Sequence, residues 1–245
     1  MTPPRPNPVA APQHVLDLLD KLHQKSIEQE AAMTKSGNVF SANVLKDLEE
    51  TAEKQAAKKQ FDALMLDKFI ALDQDKCQFM YQLILSMGAT NIVEAGTSFG
   101  VSTIYLALAA AENIKALGKE GTVIATEKEA EKAKVARGYW KECGENVEKC
   151  IDLREGDLLQ TLKKDLPSQV DLLLLDIWTP LALPTVEIIK PHLRPGSVIL
   201  ADNTEMGSVG YDVLLSYLRD PKNGFTNMTL PFKNGFEMSV YMPSI

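Results

Sequence analysis

With 245 residues the chain is long enough to bury the core of one sizeable domain, and length alone does not demand two. Hydrophobic residues make up 45% and charged residues 24%, an ordinary soluble composition. The 33 acids against 26 bases leave a formal charge of -7, which argues against a protein built to grip nucleic acid or an anionic membrane.

The opening, MTPPRPNPVAAPQ, carries five of the thirteen prolines in residues 1–12 and is expected to be a disordered tail with no signal-peptide character. From about residue 14 to 35 apolar residues recur at helical spacing, through Val15, Leu18, Leu19, Leu22 and Ile27. A second, charged helical segment is expected over about 43–63, after an SGN break; its Lys and Glu run at 46–60 reads as a solvated face. Residues 13–65 thus form a helical extension, either a cap or dimer contact or a lid over a ligand site.

Beyond Met80 short β-rich runs alternate with helical ones. Strands are expected at 91–96, 121–127, 151–157, 170–176 and 197–203, with helices at 100–116, 129–143, 158–165 and 184–193. Such alternation implies a parallel sheet with helices on both faces, and the LLLL of the fourth run suits a strand buried on both sides. NGFTNMTLPF and NGFEMSVYM then follow one another across a short KNG turn. So short a link forces an antiparallel pair, since a parallel one needs a crossover. Residues 66–245 therefore read as one α/β domain. Three widely spaced cysteines (Cys77, Cys143, Cys150), with no C-x-x-C pair, point to a reducing, cytoplasmic setting. The longest apolar stretch, at 101–110, is too short to span a bilayer.

Ligands of such sheets bind at the carboxyl ends of the strands. Every one of the five ends here carries an acid: Glu94 in the E-A-G-T-S-F-G turn, Glu127, Asp157 after Gly156, Asp176, and Asp202 before Asn203. The turn with Gly96, Ser98 and Gly100 is neither a G-x-G-x-x-G dinucleotide turn nor a phosphate loop, which disfavours a dehydrogenase and suits a cofactor without phosphates. Glu127, followed by Lys128, is placed to accept from a ribose diol. Asp176, Asp202 and Asn203 form a hard oxygen set suited to Mg²⁺, Mn²⁺ or Ca²⁺. The alternative is that Asp202 and Asn203 only turn the chain and Asp176 caps a helix.

From about Leu66 to Met242 the chain resembles the catechol O-methyltransferase-like family, the cation-dependent, class I small-molecule O-methyltransferases. The matching stretches are VEAGTSFGVST, VIATE, LREGD, LLLLDIW, SVILADN and NGFEMSVY. The resemblance implies a Rossmann-like, seven-stranded, mostly parallel sheet with a C-terminal antiparallel hairpin. It implies S-adenosylmethionine and a divalent cation as cofactors and a small-molecule hydroxyl as acceptor, with no nucleic acid or membrane partner; a homodimer is left open. Leu72, Glu94 and Ser102 would lie against the methionine part of the donor. Gly96 and Ser98 would line the turn, Glu127 and Lys128 would lie at the ribose, and Gly156 and Asp157 at the adenine. Asp176, Asp202 and Asn203 match the metal ligands, Trp178 an aromatic between donor and acceptor, and Glu237 an acid that meets the acceptor.

One departure stands out. The catechol enzymes carry a lysine base three residues after the first metal aspartate, where this chain has Thr179, which cannot take a proton at neutral pH. His23 is the candidate replacement, with a plain helix-face histidine as the alternative. The remaining alternatives are a metal-independent methyltransferase and a protein that binds the donor without turnover. His192, Trp140 and Tyr139 read as packing residues.

Overall fold

The computed structural model describes residues 6–35, 68–205 and 208–243. A long helix α1 (Gln13–Lys35) comes first, followed by α2 (Gln74–Met87). Then come β1 (Asn91–Ala95), α3 (Val101–Leu117), β2 (Thr122–Glu127), α4 (Ala130–Cys143) and the single turn α5 (Glu145–Glu148). The chain continues through β3 (Ile151–Glu155), a short α6 (Leu158–Thr161), β4 (Val170–Leu175), α7 (Thr179–Ile189) and β5 (Leu193–Asp202). It ends in α8 (Ser208–Arg219), β6 (Phe225–Leu230) and β7 (Phe236–Tyr241).

The strands form one seven-stranded sheet in the order β3-β2-β1-β4-β5-β7-β6. The first five are parallel; β7 runs antiparallel to both β5 and β6. The expected sheet and its closing hairpin are therefore present, and every residue of the central strand β4 is buried. Because side chains alternate across a strand, the sheet divides two apolar layers. Ile92, Leu172, Leu174, Leu200 and Phe236 face α1, α2, α3 and α4. Val93, Leu173, Leu175, Ile199 and Ala201 face α7 and α8.

Helix α1 belongs to the first layer. Its buried stripe of Val15, Leu18, Leu19 and Leu22 joins the cluster that holds Cys77, Met80, Tyr81 and Tyr105. Residues 6–12, expected to be part of a disordered tail, instead lie against α2. Val9 is buried, the Ala10 N–H donates to the Tyr81 hydroxyl at 3.2 Å, and Gln82 donates to the Pro8 carbonyl. Proline content alone suggests a tail, whereas one apolar side chain and two backbone bonds hold this stretch. The helix expected over 43–63 lies outside the described residues.

Two other differences concern helices. Helix α7 starts five residues before the expected 184, because Pro180 sits in its first turn, where a missing N–H costs nothing. Pro184 lies one turn further in and removes one backbone bond. Helices α2 and α8 were not expected at all. Among the described residues no helix is long and apolar enough to cross a membrane.

Candidate active site at the carboxyl edge

Parallel strands bring their carboxyl ends to one edge of the sheet, and this edge collects the acids marked in the sequence. At the end of β1 the fully buried Glu94 carboxylate accepts from Ser102 Oγ at 2.5 Å, Thr103 Oγ1 at 2.6 Å and Thr97 Oγ1 at 2.8 Å. Burial pushes this carboxyl up, against the pull of the three hydroxyls. Three hydroxyls thus tie Glu94 to the turn and to the first turn of α3, and together with Ser102 it holds the turn in shape. Gly96, at φ +92°, backs directly onto the end of β4: a Cβ there would lie 2.1 Å from the Asp176 carbonyl oxygen. Only glycine permits this approach, which sets the turn beside Asp176.

Ser98 takes a left-handed conformation at φ 50° and aims its N–H at Glu127 Oε2, 2.7 Å away. The Glu129 N–H donates to Oε1 at 2.8 Å. Glu127 is therefore a carboxylate pinned at both oxygens by backbone, with a lone pair left on each for a further donor. The Gly156 N–H donates to the Glu127 carbonyl, which brings the end of β3 alongside. Asp157 is exposed and caps α6 by accepting from the Leu159 N–H at 2.9 Å; Lys128 is exposed.

On the other side of the turn runs the segment 68–73. Helix α1 ties it down: the Phe69 N–H donates to Gln29, the Ala71 N–H to the Ser26 hydroxyl, and Gln74 donates to Asp20. Phe69 stacks on Phe99 of the glycine turn with centroids 4.8 Å apart, and Leu72 is buried with its carbonyl accepting from Cys77. Leu72, the turn, Glu127 and Gly156 thus border one continuous stretch of the edge.

The second constellation holds a cation as well as acids. Lys76 of α2 is fully buried, and its Nζ donates to Asp202 Oδ1 at 2.6 Å and pairs with Asp73 Oδ2 at 3.0 Å. Burial works against its charge, but Asp202 and Asp73 outweigh that and hold its pKa above the ordinary range. Burial, with Asp202 and Glu94 nearby, pushes the half-buried Asp176 carboxyl up. Asn203, at φ 58°, turns its amide onto Asp202 Oδ2 at 2.8 Å. Phe236, directly across the ladder from Asp202, has its ring centroid 5.9 Å from Lys76 Nζ and meets Phe79 and Phe232 at its edges. The buried Thr204 hydroxyl has no hydrogen-bond partner among the described residues.

These residues do not fit a divalent ion. Both Asp202 oxygens are engaged, one by an ammonium and the other by the Asn203 amide, and among the described residues no three His, Cys, Asp or Glu side chains gather as a metal-binding group. A cation at about 2.1 Å from Asp202 Oδ1 would collide with the lysine nitrogen or repel it.

Three other expectations meet the structure differently. His23 is buried, and its Nε2 lies 3.0 Å from the Tyr105 hydroxyl, with no contact to Asp176 or Asp202 among the described residues. Burial lowers its pKa to about 4, against Asp20 and Asp73, so the ring is neutral but a weak base. Glu237 points to the opposite face of the sheet. It pairs in register with Ala201, one residue off Asp202, and is held by Arg219 at 2.9 Å and Thr229 at 2.6 Å. Thr179 packs so closely on α8 that a Cβ at Gly210 would lie 2.3 Å from its hydroxyl. Trp178, half-buried, starts α7 next to Asp176. Trp140, which donates to the Gly100 carbonyl, and His192, against the Pro167 carbonyl, are packing residues.

Residues 93–204 match the family model described as a methyltransferase domain. Over that stretch the chain resembles a methyltransferase domain. Solved structures share its fold. An O-methyltransferase from Bacillus cereus in complex with S-adenosylhomocysteine is 21% identical with a TM-score of 0.60, covering 82% of this chain and 96% of that one. TomG from Streptomyces achromogenes, an O-methyltransferase of tomaymycin synthesis in complex with S-adenosylmethionine, is 18% identical at 0.61, covering 82% and 95%. An O-methyltransferase candidate from Klebsiella pneumoniae is 24% identical at 0.60, covering 70% and 82%. No curated protein matches the chain. The matched stretch runs from β1 to just past β5 and so contains the glycine turn, Glu127, Asp176 and Asp202, while Lys76 enters from the helix before it.

Proposed function

We propose that the protein is an S-adenosylmethionine-dependent O-methyltransferase that acts on a hydroxyl of a small molecule. The observation that carries this is Glu127, a carboxylate held by two backbone N–H groups at the end of β2 and beside the glycine turn of a methyltransferase domain. That geometry suits a ribose diol, with Leu72 on the methionine side of the turn and Gly156 and Asp157 on the adenine side. When bound, the donor supplies an electrophilic sulfonium methyl.

The protein's own contribution is positioning. Asp176, set beside the turn through Gly96, is the acid that would accept the hydrogen bond of the acceptor hydroxyl and keep its oxygen in line, with Trp178 next to it. The half-buried rings of Phe79 and Phe232 near this edge, backed by the buried Phe236, favour a phenolic acceptor over a sugar hydroxyl. No step passes through a divalent ion, since the residues present do not fit one.

The test is calorimetric titration of S-adenosylhomocysteine, followed by transfer of a labelled methyl group to a panel of phenols and phenolic glycosides. Binding with transfer to a phenol supports the reading. Failure to bind S-adenosylhomocysteine sinks it, and binding with no transfer to any panel member would leave a donor-binding protein in its place.

A further inference from the structure

We propose that the ammonium of Lys76 stands in for a divalent cation in the acid cluster at the ends of β4 and β5. The methyltransferase domain then works with a cation supplied by its own chain. This rests on the methyltransferase reading for its role, but on geometry for its existence.

Four observations converge. The Lys76 side chain is fully buried, and a buried ammonium persists only when paired; its partners are Asp202 at 2.6 Å and Asp73 at 3.0 Å. Asp202 is one of the oxygens a metal would need, and Lys76 already holds its Oδ1 while Asn203 holds its Oδ2. Lys76 does not reach this place by accident of a long surface chain. It lies in the first turn of α2 on the stripe that continues through Met80 and Ile84, so helix packing drives it inward. Finally, Asp73 belongs to the segment that carries Leu72 past the glycine turn, so one lysine ties the donor side of the edge to the end of β5.

The position of the familiar lysine base offers no second cation. Thr179 there is filled by the contact of α7 with α8. Lys76 is accordingly a positioning residue: it neutralises Asp202, fixes α2 against the sheet and leaves Asp176 without a metal to share.

The experiment is a titration of Mn²⁺ into the full-length protein, following the resonance signal of the free ion. Wild type is expected to leave the ion free into the millimolar range. Lys76→Ala should take up one ion per chain about tenfold more tightly or better, and Lys76→Ala combined with Asp202→Asn should lose that gain. Should Lys76→Ala fail to fold, Lys76→Gln keeps a donor for Asp202 while removing the charge and serves in the same comparison. Tight uptake of one ion by wild type that Asp202→Asn abolishes would overturn the proposal. So would a folded Lys76 variant that binds Mn²⁺ no better than wild type. Calorimetry with S-adenosylhomocysteine on the same wild-type sample separates the two readings: its failure removes the methyltransferase assignment and leaves the Mn²⁺ result to be judged alone.

Discussion

His23 offers a test in which the protein's pH response is traced to one side chain. Its ring is buried on the inner side of α1, has Nε2 3.0 Å from the Tyr105 hydroxyl and has a pKa lowered from 6.5 to about 4 by that burial. A histidine that stays neutral in the folded state but takes a proton in the unfolded state destabilises the fold as pH falls. The contribution is fully in place above the unfolded value of about 6.5 and is lost progressively as pH falls toward 4. At pH 5 the two values imply a loss of about 2 kcal/mol relative to pH 7.5. Buried carboxyls raised in the folded protein, such as Glu94, act in the opposite direction, so the absolute pH curve mixes several groups. Comparing wild type with His23→Gln removes those shared terms. Glutamine keeps a hydrogen-bonding group beside Tyr105 and cannot titrate. Urea unfolding of both proteins at pH 7.5 and pH 5 should show wild type losing about 2 kcal/mol more than the variant over that interval. Parallel losses in the two proteins would refute the reasoning and mean that His23 is solvated or already charged in the folded state.

Glu127→Ala should weaken S-adenosylhomocysteine binding by about a hundredfold, the worth of two hydrogen bonds to a charged acceptor, as read by calorimetry. Gly96→Ala places a methyl group 2.1 Å from a backbone oxygen at a positive φ, and is expected to cost about 3 kcal/mol or more in urea unfolding and to abolish donor binding. Arg219→Met leaves the buried Glu237 with only the Thr229 hydroxyl, so stability should fall by about 1–3 kcal/mol. Its affinity for S-adenosylhomocysteine should match that of wild type, because Glu237 lies on the face of the sheet opposite to Asp202.

The sheet was legible wherever burial made a strand uniform or an acid marked its end. The runs at 91–96 and 170–176 agree with β1 and β4 to within a residue, and the short turn between the last two strands forced their antiparallel pairing. Strand β5 begins four residues earlier than expected, because Pro195 and Gly196 interrupt its pattern at a register shift against β4. Helix α2 was overlooked because Gln74, Asp75 and Lys76 disguise its apolar side. Glu237 shows how strand parity decides a site: the resemblance marks the residue, but its neighbour Phe236 is the one opposite Asp202, so the glutamate belongs to the other face.

The acids were legible for a different reason from the cation. A parallel topology gathers every strand's carboxyl end at one edge whatever the loops do, so Glu94, Glu127, Asp176 and Asp202 could be grouped from sequence alone. Nothing comparable ties Lys76 to them: it lies 126 residues before Asp202, and only the docking of α2 on the sheet brings the two together. The available signal was local, a lysine in line with Met80 and Ile84 at helical spacing, where an unpaired charge would be too costly to bury. A charge on an apolar stripe asks for an opposite charge across the interface, and the carboxyl edge was the one place already crowded with them. The same crowding that suggested a metal therefore accounts for the lysine. Two carboxylates approached by a buried ammonium need no further cation to be neutralised.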